Sequence, residues 1–178
     1  MAEKKVWGLL AEFDSPQTIY TACENVRDEG YRHWDACTPF PVHGLDKAMG
    51  IPASKIPWIV LSLALFGTFA GLTIQWWTTV VDYPIMVAGK PFGSWPAWIP
   101  VTFELTILLG AFGAVFGMFA LNRLPTFHHP LFNSDRFERV TDDKFFIAIE
   151  AKDPLYDVKK TKKLLQKLGA THVEEVPE

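Results

Sequence analysis

Two long apolar stretches decide how this chain folds, namely IPWIVLSLALFGTFAGLTIQWWTTVV (Ile56–Val81) and PFGSWPAWIPVTFELTILLGAFGAVFGMFAL (Pro91–Leu121). The first contains no charged side chain, and the second contains only Glu104. Crossing a hydrocarbon core takes about 20 helical residues, so each stretch is long enough to cross a membrane once. The sequence therefore predicts a two-helix transmembrane hairpin at residues 56–121, with spans near residues 57–81 and 97–121.

The polar flanks of this hairpin are each too short to bury a comfortable core of their own. They cover residues 1–50 and 122–178 of the 178-residue chain. Because a domain of about 60 residues is only marginally stable by itself, we expect the two flanks to fold together as one cytoplasmic α+β domain. The formal net charge of −3 and the pI of about 5.9 give no indication of nucleic-acid binding.

A pattern of strand, helix and glycine occurs once in each flank. In the first flank, Glu12 ends an apolar strand, Pro16 starts a helix and Gly30 ends that helix. The second flank repeats this order with Glu150, Pro154 and Gly169. Two βαβ units in series are typical of the ferredoxin-like split βαβ fold, in which the second and third strands are neighbours.

We therefore predict an α+β membrane protein in which the transmembrane hairpin is inserted into a ferredoxin-like cytoplasmic domain. The hairpin would replace the turn between the second and third strands. The most continuously apolar segments, Val6–Phe13 and Phe145–Ala151, are predicted to be the two central strands.

Basic residues predict the orientation of the hairpin. They flank its open end, whereas the connecting loop contributes only Lys90; the flanking residues are Lys47, Lys55, Arg123, Arg136 and Arg139. Because cytoplasmic loops carry an excess of Lys and Arg, both termini are expected in the cytoplasm. Tryptophans are typical of membrane surfaces, and here they cluster at Trp58 on the inner side and at Trp76, Trp77, Trp95 and Trp98 on the outer side.

Glu104 is the candidate for chemistry inside the membrane. A carboxylate within a span costs roughly 2.5 kcal/mol or more, and such residues often belong to proton paths or polar contacts. Two interpretations remain open: a proton path, or a polar contact with another subunit. A third arrangement, an internal hydrogen bond, would join Glu104 to Gln75, which lies at nearly the same depth on the first span.

Small residues predict how the two spans pack together. Glycines let helix backbones approach closely in lipid, and the candidates for helix packing are Gly67, Gly71, Gly110, Gly113 and Gly117. At about 100° per residue, Glu104 lies about 180° from Gly113 around the helix axis. If the glycine faces hold the spans together, Glu104 therefore points away towards another protein.

The histidines and cysteines do not predict a metal or haem site. All five histidines lie outside the spans, at His33, His43, His128, His129 and His172. The two cysteines, Cys23 and Cys37, have no CxxC or CxxCH spacing. No catalytic residue, metal site or bound cofactor is therefore expected in this chain.

Three stretches resemble a known family. They are Thr38-Pro39-Phe40-Pro41-Val42-His43-Gly44-Leu45-Asp46, then Val81-Asp82-Tyr83-Pro84 through Trp95-Pro96 to Pro100-Val101-Thr102-Phe103-Glu104-Leu105, and finally His129-Pro130-Leu131-Phe132-Asn133 with Arg136-Phe137-Glu138. Over nearly its whole length the chain resembles the ActD family, whose members are subunits of alternative complex III.

This resemblance implies a subunit of a bacterial membrane complex that oxidises quinol and passes electrons towards a terminal oxidase. It implies a non-catalytic subunit of the cytoplasmic membrane that binds no redox cofactor. Haem c and iron–sulfur clusters are expected in partner subunits, and the polytopic quinone-site subunits are the expected partners alongside the lipid bilayer. The main hypothesis is an assembly and stabilising role, and the alternative is proton transfer through Glu104.

Overall fold

The computed structural model describes residues 5–86 and 88–178 of the chain. These residues form two compact units. One unit combines the described residues up to Pro52 with Phe127–Glu178, and the other is Ala53–Thr126. The first unit contains a β-sheet, and the second contains two long apolar helices.

The first unit is built on a four-stranded antiparallel sheet with the strand order β2-β3-β1-β4. The strands are β1 (Val6–Phe13), β2 (Trp34–Cys37), β3 (Phe145–Glu150) and β4 (His172–Pro177). β1 and β3 occupy the centre, as their continuous apolar runs predict, and Leu10 lies opposite Ala148 in their register. Each flank of the sequence therefore contributes one central and one edge strand.

Among its described residues, this unit contains three α-helices. Helix α1 (Pro16–Asp28) begins at Ser15, whose side-chain oxygen accepts a hydrogen bond from the Thr18 N–H at 3.2 Å, and α2 is Leu45–Met49. After α1 and α5 (Val158–Lys167), Gly30 and Gly169 adopt positive φ of 92° and 95°, which favours glycine. Helices α1 and α5 cover one sheet face through the buried side chains of Ile19, Ala22, Cys23, Val26 and Leu165.

The other sheet face is covered by the segment that follows the apolar helices. This segment forms two 3₁₀ helices, Pro130–Asn133 and Asp135–Thr141. Leu131 and Phe137 from these helices are buried with Leu10, Phe146 and Val176 of the sheet. Both sheet faces are therefore apolar and covered, which explains why β1 and β3 show no alternation of polar and apolar residues.

The second unit contains helices α3 (Ile56–Trp76) and α4 (Trp95–Leu121). A π-helix, Trp77–Asp82, continues α3, so its full helical run of 27 residues equals the length of α4. Both helices are long and apolar enough to cross a membrane. In the most apolar 18-residue segment of each helix, only 11% (α3 with its π-helix) and 17% (α4) of the residues are buried, whereas the core helix of a water-soluble protein is mostly buried.

The predicted start of the last helix at Asp153-Pro154 is wrong, because α5 begins at Val158. The cap is Asp157, whose carboxylate accepts a hydrogen bond from the Lys160 N–H at 2.8 Å. Asp153 instead accepts hydrogen bonds from the backbone N–H groups of Arg32, His33 and Leu155. The pattern shared by the two flanks is therefore confirmed for the strands and the glycines, but Pro154 does not start a helix as Pro16 does.

Candidate functional site

The five glycines singled out in the sequence lie where α3 and α4 contact each other. Gly67, Gly71, Gly110, Gly113 and Gly117 are buried. A Cβ added at Gly67 would lie 2.4 Å from the Leu105 carbonyl oxygen, and one at Gly113 would lie 3.2 Å from the Val60 Cα. Because these atoms belong to the backbone, the two helices approach too closely for larger residues at these points.

A polar seam accompanies this glycine contact. The Gln75 Nε2 donates hydrogen bonds to the Trp98 carbonyl oxygen at 2.9 Å and to the Thr102 Oγ1 at 3.1 Å. Closer to the middle of the helices, the Thr68 and Thr106 hydroxyls are 2.8 Å apart. Hydrogen bonds between helices in lipid are worth about 0.6–2 kcal/mol each, so the seam stabilises one register of α3 against α4.

Glu104 lies on the opposite side of α4 from this seam. Thr102 is buried against α3, and at about 100° per residue the side chain two positions further on points away from it. Glu104 is exposed between apolar neighbours that are exposed as well, with Phe103 at 65% and Ile107 at 53%. Within residues 5–86 and 88–178, no side chain or backbone group forms a hydrogen bond or ion pair with the Glu104 carboxylate.

The structure thus does not bring Glu104 and Gln75 together. The Gln75 amide nitrogen bonds to Trp98, Thr102 and the Gly71 carbonyl oxygen of its own helix. An internal Gln75–Glu104 bond would need a rotation of α4 that breaks both the seam and the glycine contact. Glu104 is left as an exposed carboxylate on the side of α4 that faces away from α3.

The sheet unit contains a buried carboxylate whose partners the sequence did not reveal. The Glu12 side chain is 5% exposed, and its oxygens lie 3.0 Å from the Arg136 Nη1 and 3.5 Å from the Lys144 Nζ. Lys144 also pairs with Asp14. Arg136 belongs to the second 3₁₀ helix, so this ion pair joins the segment after the apolar helices to the central strand.

Asp153 forms a second polar anchor, next to β2. Its Oδ2 accepts hydrogen bonds from the N–H groups of Arg32 at 2.6 Å and His33 at 2.7 Å, and its Oδ1 accepts one from Leu155 at 2.9 Å. Burial disfavours the charged carboxylate, but the three donors outweigh it and lower the pKa of Asp153 below its ordinary value. The Asp153 carboxylate therefore links the segment before β2 to the segment after β3.

The two cysteines and His129 act as packing groups. Burial, together with the negative charge of Asp35, raises the pKa of Cys23 to about 12 and that of Cys37 to about 11. Both thiols therefore stay protonated at neutral pH, which disfavours nucleophilic attack and metal binding. His129 caps the first 3₁₀ helix and contacts Trp7 edge to face at 5.2 Å. The described residues contain no cluster of three or more metal-ligating side chains.

A comparison of sequences with protein families gives a match over almost the entire chain. The family described as "Alternative complex III, ActD subunit" matches residues 7–175, which include all four strands except the ends of β1 and β4. No curated protein matches the chain. The match agrees with the resemblance that the three sequence stretches indicated.

Proposed function

The chain belongs to the ActD family of alternative complex III subunits, and from this premise we propose that it anchors and stabilises this quinol-oxidising complex. Family membership implies association with the other subunits of the complex. In our proposal, the chain itself binds no redox cofactor and catalyses no step. Haem c and iron–sulfur clusters would then be held by partner subunits, and the polytopic quinone-site subunits are the proposed neighbours of α3 and α4.

The proposed topology is a transmembrane hairpin inserted into a ferredoxin-like cytoplasmic domain, in a protein of the bacterial cytoplasmic membrane. The strand order β2-β3-β1-β4 supports the ferredoxin-like arrangement, because β2 and β3 are antiparallel neighbours on either side of the insertion. The basic residues that flank the helices support cytoplasmic termini. The antiparallel glycine contact between α3 and α4 supports a hairpin.

The observation that carries the assembly role is the outward-facing carboxylate of Glu104. A carboxylate exposed to hydrocarbon is costly, and apolar neighbours such as Phe103 and Ile107 offer it no hydrogen bond. A polar group on a transmembrane helix of another subunit would remove this cost. The contact would therefore hold the chain in the complex at one depth and in one orientation.

This role is tested by substitutions of Glu104 in the intact complex. Glu104→Leu should lower the amount of this chain that stays bound after detergent solubilisation, whereas Glu104→Gln keeps hydrogen bonding and should retain most of it. The measurement is the ratio of this chain to the largest subunit in the purified complex. Gln75→Leu is the matched control, because Gln75 bonds within the chain.

Two results would redirect this proposal. Full retention of the Glu104→Leu chain would show that no contact with a partner depends on the carboxylate, and the proposed contact would be rejected. A fully assembled Glu104→Gln complex that loses proton-coupled turnover would favour proton transfer instead. At present no described contact of Glu104 favours a proton path, because no titratable group bonds to it.

A further inference from the structure

Helix α5 presents a surface of five lysines, Lys159, Lys160, Lys162, Lys163 and Lys167, which we call the lysine face. The helix buries Thr161 and Leu165 against the sheet. Lys162 is half-buried, and the other four lysines are exposed. The helix itself, Val158–Lys167, contains no acidic residue.

The described lysines of this face form no salt bridge, unlike most other cations of this unit, although the cap Asp157 lies near Lys159 and Lys160. Arg27, Arg136, Arg139, Lys144 and Lys152 each have a carboxylate within 4.0 Å. Within residues 5–86 and 88–178, none of the five lysines of the face has such a partner. A cluster of like charges on one helix repels itself, and an acidic surface would relieve this repulsion.

We propose that the lysine face binds an acidic protein surface on another subunit of the complex. This inference rests on the assembly role proposed above, since a chain that belongs to a multisubunit complex has protein neighbours. Complementary charges at such a contact speed association and fix orientation, and their effect weakens as salt screens them.

The lysine face lies along the sheet rather than at one end of it. The lysines span about 12 Å of helix axis at 1.5 Å per residue. The helix runs along the sheet, from the end where Gly8 pairs with Glu150 towards the end where Glu12 pairs with His172. A partner surface that lies alongside the sheet can therefore contact all five lysines.

Zero-length cross-linking of the purified complex tests the proposal directly. A carbodiimide joins an amine only to a carboxylate in contact with it, so mass spectrometry identifies both residues of each link. We expect links from at least two lysines of the face to Asp or Glu of one other subunit. These links should weaken severalfold in about 0.5 M salt. A complex without such links would overturn the proposal.

Charge variants supply the matched control. Replacing Lys159, Lys160 and Lys163 by Glu should abolish the links and lower retention of the chain at low salt severalfold, whereas Arg at the same positions should preserve retention. Replacing Glu24, Asp28 and Glu29 of the neighbouring α1 region by Gln alters three charged groups away from the face and should leave the links in place. Equal losses in the Glu and Arg variants would overturn the proposal, because packing rather than charge would then be responsible.

A lipid partner gives a different result. The isolated full chain, placed in nanodiscs of neutral or anionic lipid, is treated with an amine-acetylating reagent. We expect equal acetylation of the lysine face in both nanodiscs and protection only in the intact complex. Protection in anionic nanodiscs would overturn the protein partner in favour of lipid headgroups. If Glu104→Leu releases the chain but the unmodified complex shows no lysine links, only the lysine contact fails and the assembly role of Glu104 stands. If the links form but Glu104→Leu is fully retained, only the Glu104 contact fails.

Discussion

At the scale of single residues, two buried carboxylates determine how distant segments of the sheet unit are joined. Glu12 is buried in the central strand β1 and pairs with Arg136 and Lys144, which follow it by more than a hundred positions in the sequence. A buried charge is tolerated only when it is paired, so the segment that carries Arg136 must stay against the sheet. The sequence identified Glu12 only as the end of a strand, because an ion pair between distant residues leaves no local pattern.

We expect Arg136→Met to lower the free energy of unfolding by about 1–2 kcal/mol. This is less than the loss for a fully buried pair, because the Arg136 side chain is 49% exposed and Lys144 remains beside Glu12. Thermal unfolding of the full chain in detergent measures the change. Arg139→Met is the control, since both side chains of its pair with Asp143 are half-exposed and its loss of stability should be clearly smaller. Equal losses in both variants would contradict a special role for Glu12.

Asp153 should make the stability of the chain depend on pH. Its pKa is lowered in the folded state by three backbone N–H donors despite burial, so its stabilising effect is complete above the ordinary value of about 3.9. That effect is lost as the pH falls through the lowered folded value. We expect the unmodified chain to lose more stability than Asp153→Asn between pH 5 and the acid limit. Parallel pH profiles of the two proteins would contradict this prediction.

At the scale of elements, the contact between α3 and α4 follows from small residues that the sequence made visible. Glycine has no side chain, so its spacing can be read directly, and the face it marks is also the face that is buried. The polar seam was less visible, because Thr68 and Thr106 match β-branched apolar residues in shape and interrupt no hydrophobic pattern. The start of α5 was predicted wrongly for a related reason. Asp153 accepts its hydrogen bonds from Arg32 and His33, which are distant in the sequence, so no local pattern shows that it does not cap a helix.

Gly67→Ala should weaken the packing of α3 on α4, whereas Gly110→Ala should be tolerated. An added Cβ lies 2.4 Å from a backbone oxygen at Gly67 but 3.6 Å from the Ala64 Cβ at Gly110. Overpacking of this kind costs about 1–3 kcal/mol. The measurement is resistance of the full chain to unfolding in rising SDS. Both variants gain the same helix propensity, so a similar response would show that the close approach at Gly67 does not limit stability.

At the scale of the whole molecule, the sequence predicted one sheet built from two separated flanks, and the structure confirms its central strands. Continuity of apolar residues in β1 and β3 was sufficient for this, because both sheet faces are covered. The cover on the second face was not predicted. The 3₁₀ helices at Pro130–Asn133 and Asp135–Thr141 are too short to give a periodic signal, and their position depends on Leu131, Phe137 and the Glu12–Arg136 pair.

Both termini are predicted to face the cytoplasm. The basic residues Lys47, Lys55 and Arg123 border the helices on that side, whereas Lys90 is the single basic residue of the connecting loop. Protease added to right-side-out vesicles should leave N-terminal and C-terminal tags intact. The same protease should remove both tags from inverted vesicles, which serve as the control for accessibility. Cleavage of either tag in right-side-out vesicles would contradict the assignment.

The pairing of β1 with β3 also imposes an order on biosynthesis. Gly8 and its partner Glu150 lie about 140 residues apart in the chain, and ribosomes add about 5–20 residues per second, so roughly 7–28 s separate their synthesis. Both apolar helices leave the ribosome during this interval, while Leu9, Ala11 and Phe13 still lack the strand that covers them. The first flank therefore stays without its central partner strand while both helices are being synthesised. The sheet can close only after translation has passed both helices.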